Sequence, residues 1–143
     1  VIHVTGTNGK GSTTQMITRL LMAHGLTVGT YSSPHLERLN ERISRNAEPI
    51  SDDDFAEQIA ALAEIEIVAG VRPTYFELVT AAAFRWFADV AVDVAGIEVG
   101  MRGKWDATNV VDAQVAVLTN IGMDHNEYAV PPRPTSLVRR AAS

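Results

Sequence analysis

Residues 5–13 read T-G-T-N-G-K-G-S-T, and the reading of this stretch decides the fold. Before it stands the short apolar run V-I-H-V, residues 1–4. After it Met16, Ile17, Leu20 and Leu21 recur at helical spacing, and Gly25 supplies a stop. The pattern is strand, glycine loop, helix, with the helix expected from Ser12 to His24. Glycines in such a turn let backbone N–H groups point inward around an anion, and the helix N-terminus adds a favourable dipole. Lys10 would set a positive charge on the outer phosphates of a nucleotide. The generic phosphate-loop pattern is not met. Val4 stands where a glycine is usual, and Ser12 follows Gly11 rather than the lysine. A glycine-rich turn can be only a turn, but two glycines flanking a lysine between a strand and a helix favour phosphate binding. The expected phosphate-binding residues are Gly6, Thr7, Asn8, Gly9, Lys10, Gly11 and Ser12.

Outward from the loop, strands and helices alternate. Residues 28–32 read as a second strand, and residues 33–50 as a long polar, aperiodic loop of the kind that carries function. Ser51 offers an N-cap followed by Asp52, Asp53 and Asp54. Phe55, Ile59 and Leu62 give that helix its apolar stripe. Thr74 and Glu77 form a T-x-x-E capping box opening a helix through about Phe87. Its apolar residues lie on more than one face, as in a buried helix. The runs 92–99 and 114–119 carry β-branched residues and read as strands covered on both faces. Such alternation predicts an open, mostly parallel α/β sheet with flanking helices. His3, inside the first strand, reads as a core histidine with a backbone partner. His24 reads as a helix C-terminal residue. Residues 129–143, with Pro131, Pro132, Pro134, Arg139 and Arg140, are expected to be disordered or foreign to the fold.

The 143 residues suit one domain with a core; 46% are hydrophobic and 20% charged. A net charge of −5 argues against a nucleic-acid-coating surface. The absence of cysteine excludes disulfides and thiolate metal sites and fits a cytoplasmic protein. The most apolar stretch, 90–99, is interrupted by Asp93 and Glu98, so no membrane partner is expected. The first residue, Val1, falls within a strand, as expected of a fragment at its front end.

The loop G-T-N-G-K-G-S resembles that of the Mur ligase superfamily, and its K-G-S form resembles the folate branch of that superfamily. Further blocks agree in order and approximate spacing. Ser32-Ser33-Pro34-His35-Leu36 followed by Asn40-Glu41-Arg42-Ile43 looks like the branch's substrate loop. Glu98-Val99-Gly100 followed by Gly103-Lys104-Trp105-Asp106-Ala107-Thr108-Asn109 looks like its acidic metal strand and the loop after it. Thr119-Asn120-Ile121-Gly122-Met123-Asp124-His125 looks like its last metal block. The resemblance covers residues 1–128, read as part of a P-loop-like, ATP-binding central domain, incomplete in this chain.

The resemblance implies an ATP-dependent ligase. ATP phosphorylates a carboxylate of dihydropteroate or folate, and the amine of L-glutamate attacks the acyl phosphate to leave an amide. Lys10, Glu98 and His125 are the implied catalytic residues, with magnesium held by Ser33, Glu98 and His125. Glu98 also stands apart by itself, since a carboxylate ending an apolar strand is costly to bury without a partner. By similarity Phe76 and Glu77 touch the pterin, although the capping box accounts for Glu77. Arg38 and Arg42 would suit an acidic substrate, but the favoured reading is a solvated loop. The implied partners are small molecules and the implied state a monomer. The family's E-K-A-G-I run after the D-H block does not occur in residues 129–143, so the chain alone is expected not to ligate. The alternatives are another Mur-type ligase or a non-catalytic nucleotide-binding relic.

Overall fold

The computed structural model describes residues 1–35, 37–100 and 106–122. Strand β1 (Ile2–Thr5) leads through the glycine loop into helix α1 (Lys10–Ala23), and β2 (Val28–Tyr31) follows. A short 3-10 turn at Leu39–Arg42 precedes β3 (Ile43–Arg45) and β4 (Glu48–Pro49). Then come α2 (Asp52–Ala69), α3 (Tyr75–Asp89), β5 (Val94–Glu98), a 3-10 turn at Ala107–Val110 and β6 (Val115–Leu118). The strands form one sheet in the order β4-β3-β2-β5-β1-β6. The four strands β2, β5, β1 and β6 are parallel, and β3 and β4 add an antiparallel border. The sheet is mixed but mostly parallel, with flanking helices, as the alternation predicts.

The loop 33–50 is more ordered than its polarity suggests. Asn46 and Ala47 both take positive φ (50° and 64°), the arrangement that closes a two-residue hairpin between β3 and β4. Asn46 then bonds back to β2: its N–H donates to Val28 O at 2.8 Å, and its side-chain oxygen accepts the Val28 N–H at 2.9 Å.

The helix starts agree with their caps. Ser51 Oγ accepts the Asp54 N–H at 3.0 Å, and Thr74 and Glu77 make the reciprocal capping box. Helix α3 packs Val79, Ala82, Ala83, Trp86 and Phe87 into a core shared with Tyr31, Ile43, Ile50, Ala95 and Ile97. Phe55, Ile59 and Leu62 of α2 pack against that core. A fully buried Val, Ile or Phe side chain in this core contributes about 1.5–3 kcal/mol of transfer free energy.

Three local expectations are corrected. Helix α1 begins at Lys10, not Ser12, because Gly9 in the left-handed region turns the chain directly into it. Its buried face is formed by Thr14 and Thr18, while Met16 and Leu20 are 59% and 65% exposed. Among the described residues strand β6 is not covered on both faces: it borders the sheet, and Val115 and Leu118 are 48% and 44% exposed. The expected tail, residues 129–143, lies outside the described residues, as does the 129–143 boundary itself.

Candidate functional site

The chain leaves β1 at Thr5 and must reverse into α1 within a few residues. Gly6 makes this possible with φ 141°, and an added Cβ there would lie 2.0 Å from Thr119 Oγ1. Gly9 then caps α1 without any side-chain hydrogen bond, which leaves the first helical turn to an external acceptor. The Lys10 ammonium folds back over the loop and donates to the carbonyls of Gly6 and Thr7, each at 3.1 Å.

The loop is clamped from the side by the segment after β6. The Thr7 N–H donates to Asn120 O at 3.0 Å. The side-chain oxygen of Asn120 accepts the N–H groups of Thr7 and Asn8, at 3.2 and 2.8 Å. Thr119 Oγ1 donates to Asn8 O at 2.7 Å, and the Gly122 N–H donates to Thr7 Oγ1 at 2.8 Å. Sequence reasoning drew this block together for its histidine and missed the clamp. Its visible signal is the pair of hydrogen-bonding residues, Thr119 and Asn120, directly after an apolar strand.

Glu98 ends β5, whose register with β1 sets Glu98 beside Val4, just ahead of the glycine loop. It is only 4% exposed. An added Cβ at Gly11 would stand 3.5 Å from its Oε2, so the first turn of α1 passes directly beside the carboxylate. Burial pushes the Glu98 carboxyl above the usual carboxylate range, while the Ser33 N–H, Lys10 and Arg42 pull it back. The Ser33 N–H donates to Glu98 Oε2 at 3.1 Å, which brings the substrate-loop block to the acidic strand. His125, the remaining metal and catalytic candidate, lies outside the described residues.

Among the described residues no group of three histidines, aspartates or glutamates clusters to cage a metal. Magnesium does not need such a cage, since it is commonly held by one or two carboxylates together with phosphate oxygens and water. A buried carboxylate with a raised pKa, next to a glycine loop and without an ion pair among the described residues, fits that donor set.

A second buried network lies beside this one. His3 Nε2 lies 2.9 Å from Thr108 Oγ1, and Thr108 donates through its hydroxyl and its N–H to Asp106 Oδ1, at 2.8 and 3.1 Å. His3 therefore has a side-chain partner, not the backbone partner expected of it. His24 does stand at the C-terminus of α1. Phe76 stacks at 6.2 Å from Tyr31, and Glu77 is held in its capping box. No helix among the described residues is long and apolar enough to cross a membrane.

The profile of the Mur ligase middle domain matches residues 4–130. The chain belongs to the Mur ligase middle-domain family. It is 44% identical to the dihydrofolate synthase/folylpolyglutamate synthase of Escherichia coli over 93% of its own length and 31% of that relative. The structure of E. coli FolC in complex with ADP superposes with a TM-score of 0.94 at 38% identity, covering 99% of this chain and 34% of that one. A bifunctional folylpolyglutamate synthase/dihydrofolate synthase with Mn, AMPPNP and L-glutamate bound superposes at 0.92 with 37% identity, covering 99% and 34%. This Mur-type chain thus spans about a third of the length of the relatives it matches.

Proposed function

We propose that this chain forms the ATP-binding wall of a ligase that joins L-glutamate to dihydropteroate or folate through an acyl phosphate. The observation that carries the reading is the close approach of the first turn of α1 to the buried Glu98 carboxylate, where a Cβ at Gly11 would stand 3.5 Å from Oε2. In this reading the loop of residues 6–12 encloses the nucleotide phosphates and the amides at the start of α1 hold them, those of Thr7 and Asn8 being turned to Asn120. The Lys10 ammonium exchanges its carbonyl acceptors for phosphate oxygens. Glu98 and Ser33 hold the magnesium, with His125 as the third ligand that the family resemblance assigns. When bound, the ion supplies positive charge against the transferred phosphoryl group. Ligation itself is proposed for the protein that carries this domain, because the relatives are about three times longer. The same reading makes the protein a cytoplasmic monomer served by small molecules, in keeping with its cysteine-free, acidic composition.

Titration with AMPPNP and magnesium tests the nucleotide part. Lys10→Ala should weaken binding by about tenfold to a hundredfold, the range for a lost hydrogen bond to a charged group. Chelating the metal should weaken wild-type binding and leave Glu98→Gln unmoved. Equal affinities in wild type and Lys10→Ala would sink the phosphate-loop assignment. Phosphate release stimulated by a muropeptide instead of dihydropteroate would reassign the substrate to another Mur branch.

A further inference from the structure

Two arginines in the segment between β2 and β3 look alike in sequence and are separated by the fold. Arg38 pairs with Asp52 at 2.7 Å on the surface, where Asn40 joins the same carboxylate at 3.0 Å. Arg42 makes no ion pair among the described residues. Its place follows from strand register. Ile43 pairs with Tyr31, and Tyr31 pairs with Ile97, so these three form one row across the sheet. Arg42, Ser32 and Glu98 each stand one residue beyond that row, at the end of the sheet that carries the glycine loop. Two consecutive amides tie them together: the Ser32 N–H donates to Arg42 O at 2.9 Å, and the Ser33 N–H donates to Glu98 Oε2 at 3.1 Å.

The side chain of Arg42 is aimed. Its Nε donates to His35 Nδ1 at 2.9 Å, so the terminal nitrogens of the guanidinium are directed by a histidine that accepts at Nδ1. The Arg42 charge lowers the pKa of Glu98, and its charge and a side-chain hydrogen bond lower that of the Tyr31 hydroxyl, each against the larger effect of burial. One donor of the fork is thus shared with Tyr31 and the others remain. Yet Glu98 takes its hydrogen bond from Ser33, not from the guanidinium. A permanently charged fork held near a carboxylate, but not upon it, is suited to a second anion. Phosphates have the glycine loop and Lys10. The anion left in the proposed reaction is the carboxylate of the acid substrate.

We propose that Arg42 holds the carboxylate of the acid substrate beside the phosphate loop, with His35 as the positioning residue that orients its guanidinium. The assignment rests on the folate-ligase reading and deepens it.

Equilibrium binding is measured on the protein as encoded, with magnesium and AMPPNP present, using dihydropteroate and its neutral carboxamide as probes. Wild type should prefer the acid. Arg42→Gln should lose about tenfold or more for the acid, with the carboxamide and AMPPNP unchanged. His35→Ala should lose part of the acid preference, and His35→Gln, whose side-chain oxygen can accept, should restore it. Arg42→Lys keeps the charge without the fork, and should lose the acid several-fold. Acid binding at the wild-type level in Arg42→Gln, or equal losses for acid and carboxamide, would overturn the assignment. If Arg42→Gln fails to bind AMPPNP and so has not folded, wild-type acid affinity in Arg42→Lys overturns it instead. A wild-type protein that binds AMPPNP but neither probe would overturn the folate reading itself, and this assignment with it.

Discussion

The side-chain oxygen of Asn120 accepts the backbone N–H of Asn8 at 2.8 Å across a sequence separation of 112 residues. A loop with three glycines at residues 6, 9 and 11 has little to fix its own shape. The shape is imposed from the next strand, by Asn120 and Thr119 together. An anion site made of backbone amides depends on such fixing, because amides that must first be ordered bind at an entropic disadvantage.

Asn120→Ala removes an acceptor shared by two loop amides. The Asn8 N–H is exposed and can turn to water, so stability should fall only modestly, by about 1 kcal/mol. Nucleotide affinity should fall several-fold, since the loop must then be ordered by the ligand. Thermal melts and AMPPNP titration check both effects. Unchanged affinity would mean that the clamp serves the fold alone.

Gly6→Ala strikes the same clamp from the other side. At φ 141° an L-residue is strained by about 1–3 kcal/mol, and the new methyl would displace Thr119 Oγ1 from 2.0 Å. Thr119 would then lose its bond to Asn8 O. The substitution should lower the melting temperature clearly, and combining it with Thr119→Ala should cost less than the sum of the two single changes. Additive losses would show that the two residues do not contend for one space.

Much of this arrangement is legible in the sequence where local chemistry decides it. The Ser51 cap, the Thr74–Glu77 box and the strand-loop-helix at residues 1–24 follow from residues a few positions apart. What escaped depends on distant partners. The hairpin turn at Asn46–Ala47 lacks the usual glycine, and its Asn46 is secured by Val28 on another strand. The stripe of α1 in the sequence is Met16, Ile17, Leu20 and Leu21, of which Ile17 and Leu21 are half-buried and Met16 and Leu20 exposed. The sheet beneath instead offers Gly96 and Thr30, against which the small Thr14 and Thr18 pack. The difference between Arg38 and Arg42 depends on Asp52 and on strand register, neither of which has a local signature.

His3 gives the chain a defined response to acid. Burial holds the pKa of its imidazole below the ordinary 6.5, against an opposing pull from Asp106. The folded state therefore takes up this proton less readily than the unfolded chain. Its contribution is intact above pH 6.5 and is lost as pH falls from there toward the folded-state value. Denaturant midpoints should decline over that window in wild type. His3→Gln, less stable at neutral pH, should decline less steeply. Parallel declines in the two proteins would show that other groups carry the acid response.

Thr18→Val tests whether the polar seam between α1 and the sheet is held by bonding or by shape. Thr18 Oγ1 lies 2.7 Å from Thr30 Oγ1 and also donates to Thr14 O at 2.9 Å, all within a buried layer. Valine keeps the volume and β-branching but strands the Thr30 hydroxyl in that layer, at a cost of about 1–3 kcal/mol. Adding Thr30→Val removes the stranded group, so the double variant should recover much of the loss. Recovery identifies the unpaired hydroxyl as the cause. If the double variant is instead as unstable as the two losses added, the hydroxyls are not acting as a pair, and the close approach of α1 to β2 must rest on shape alone.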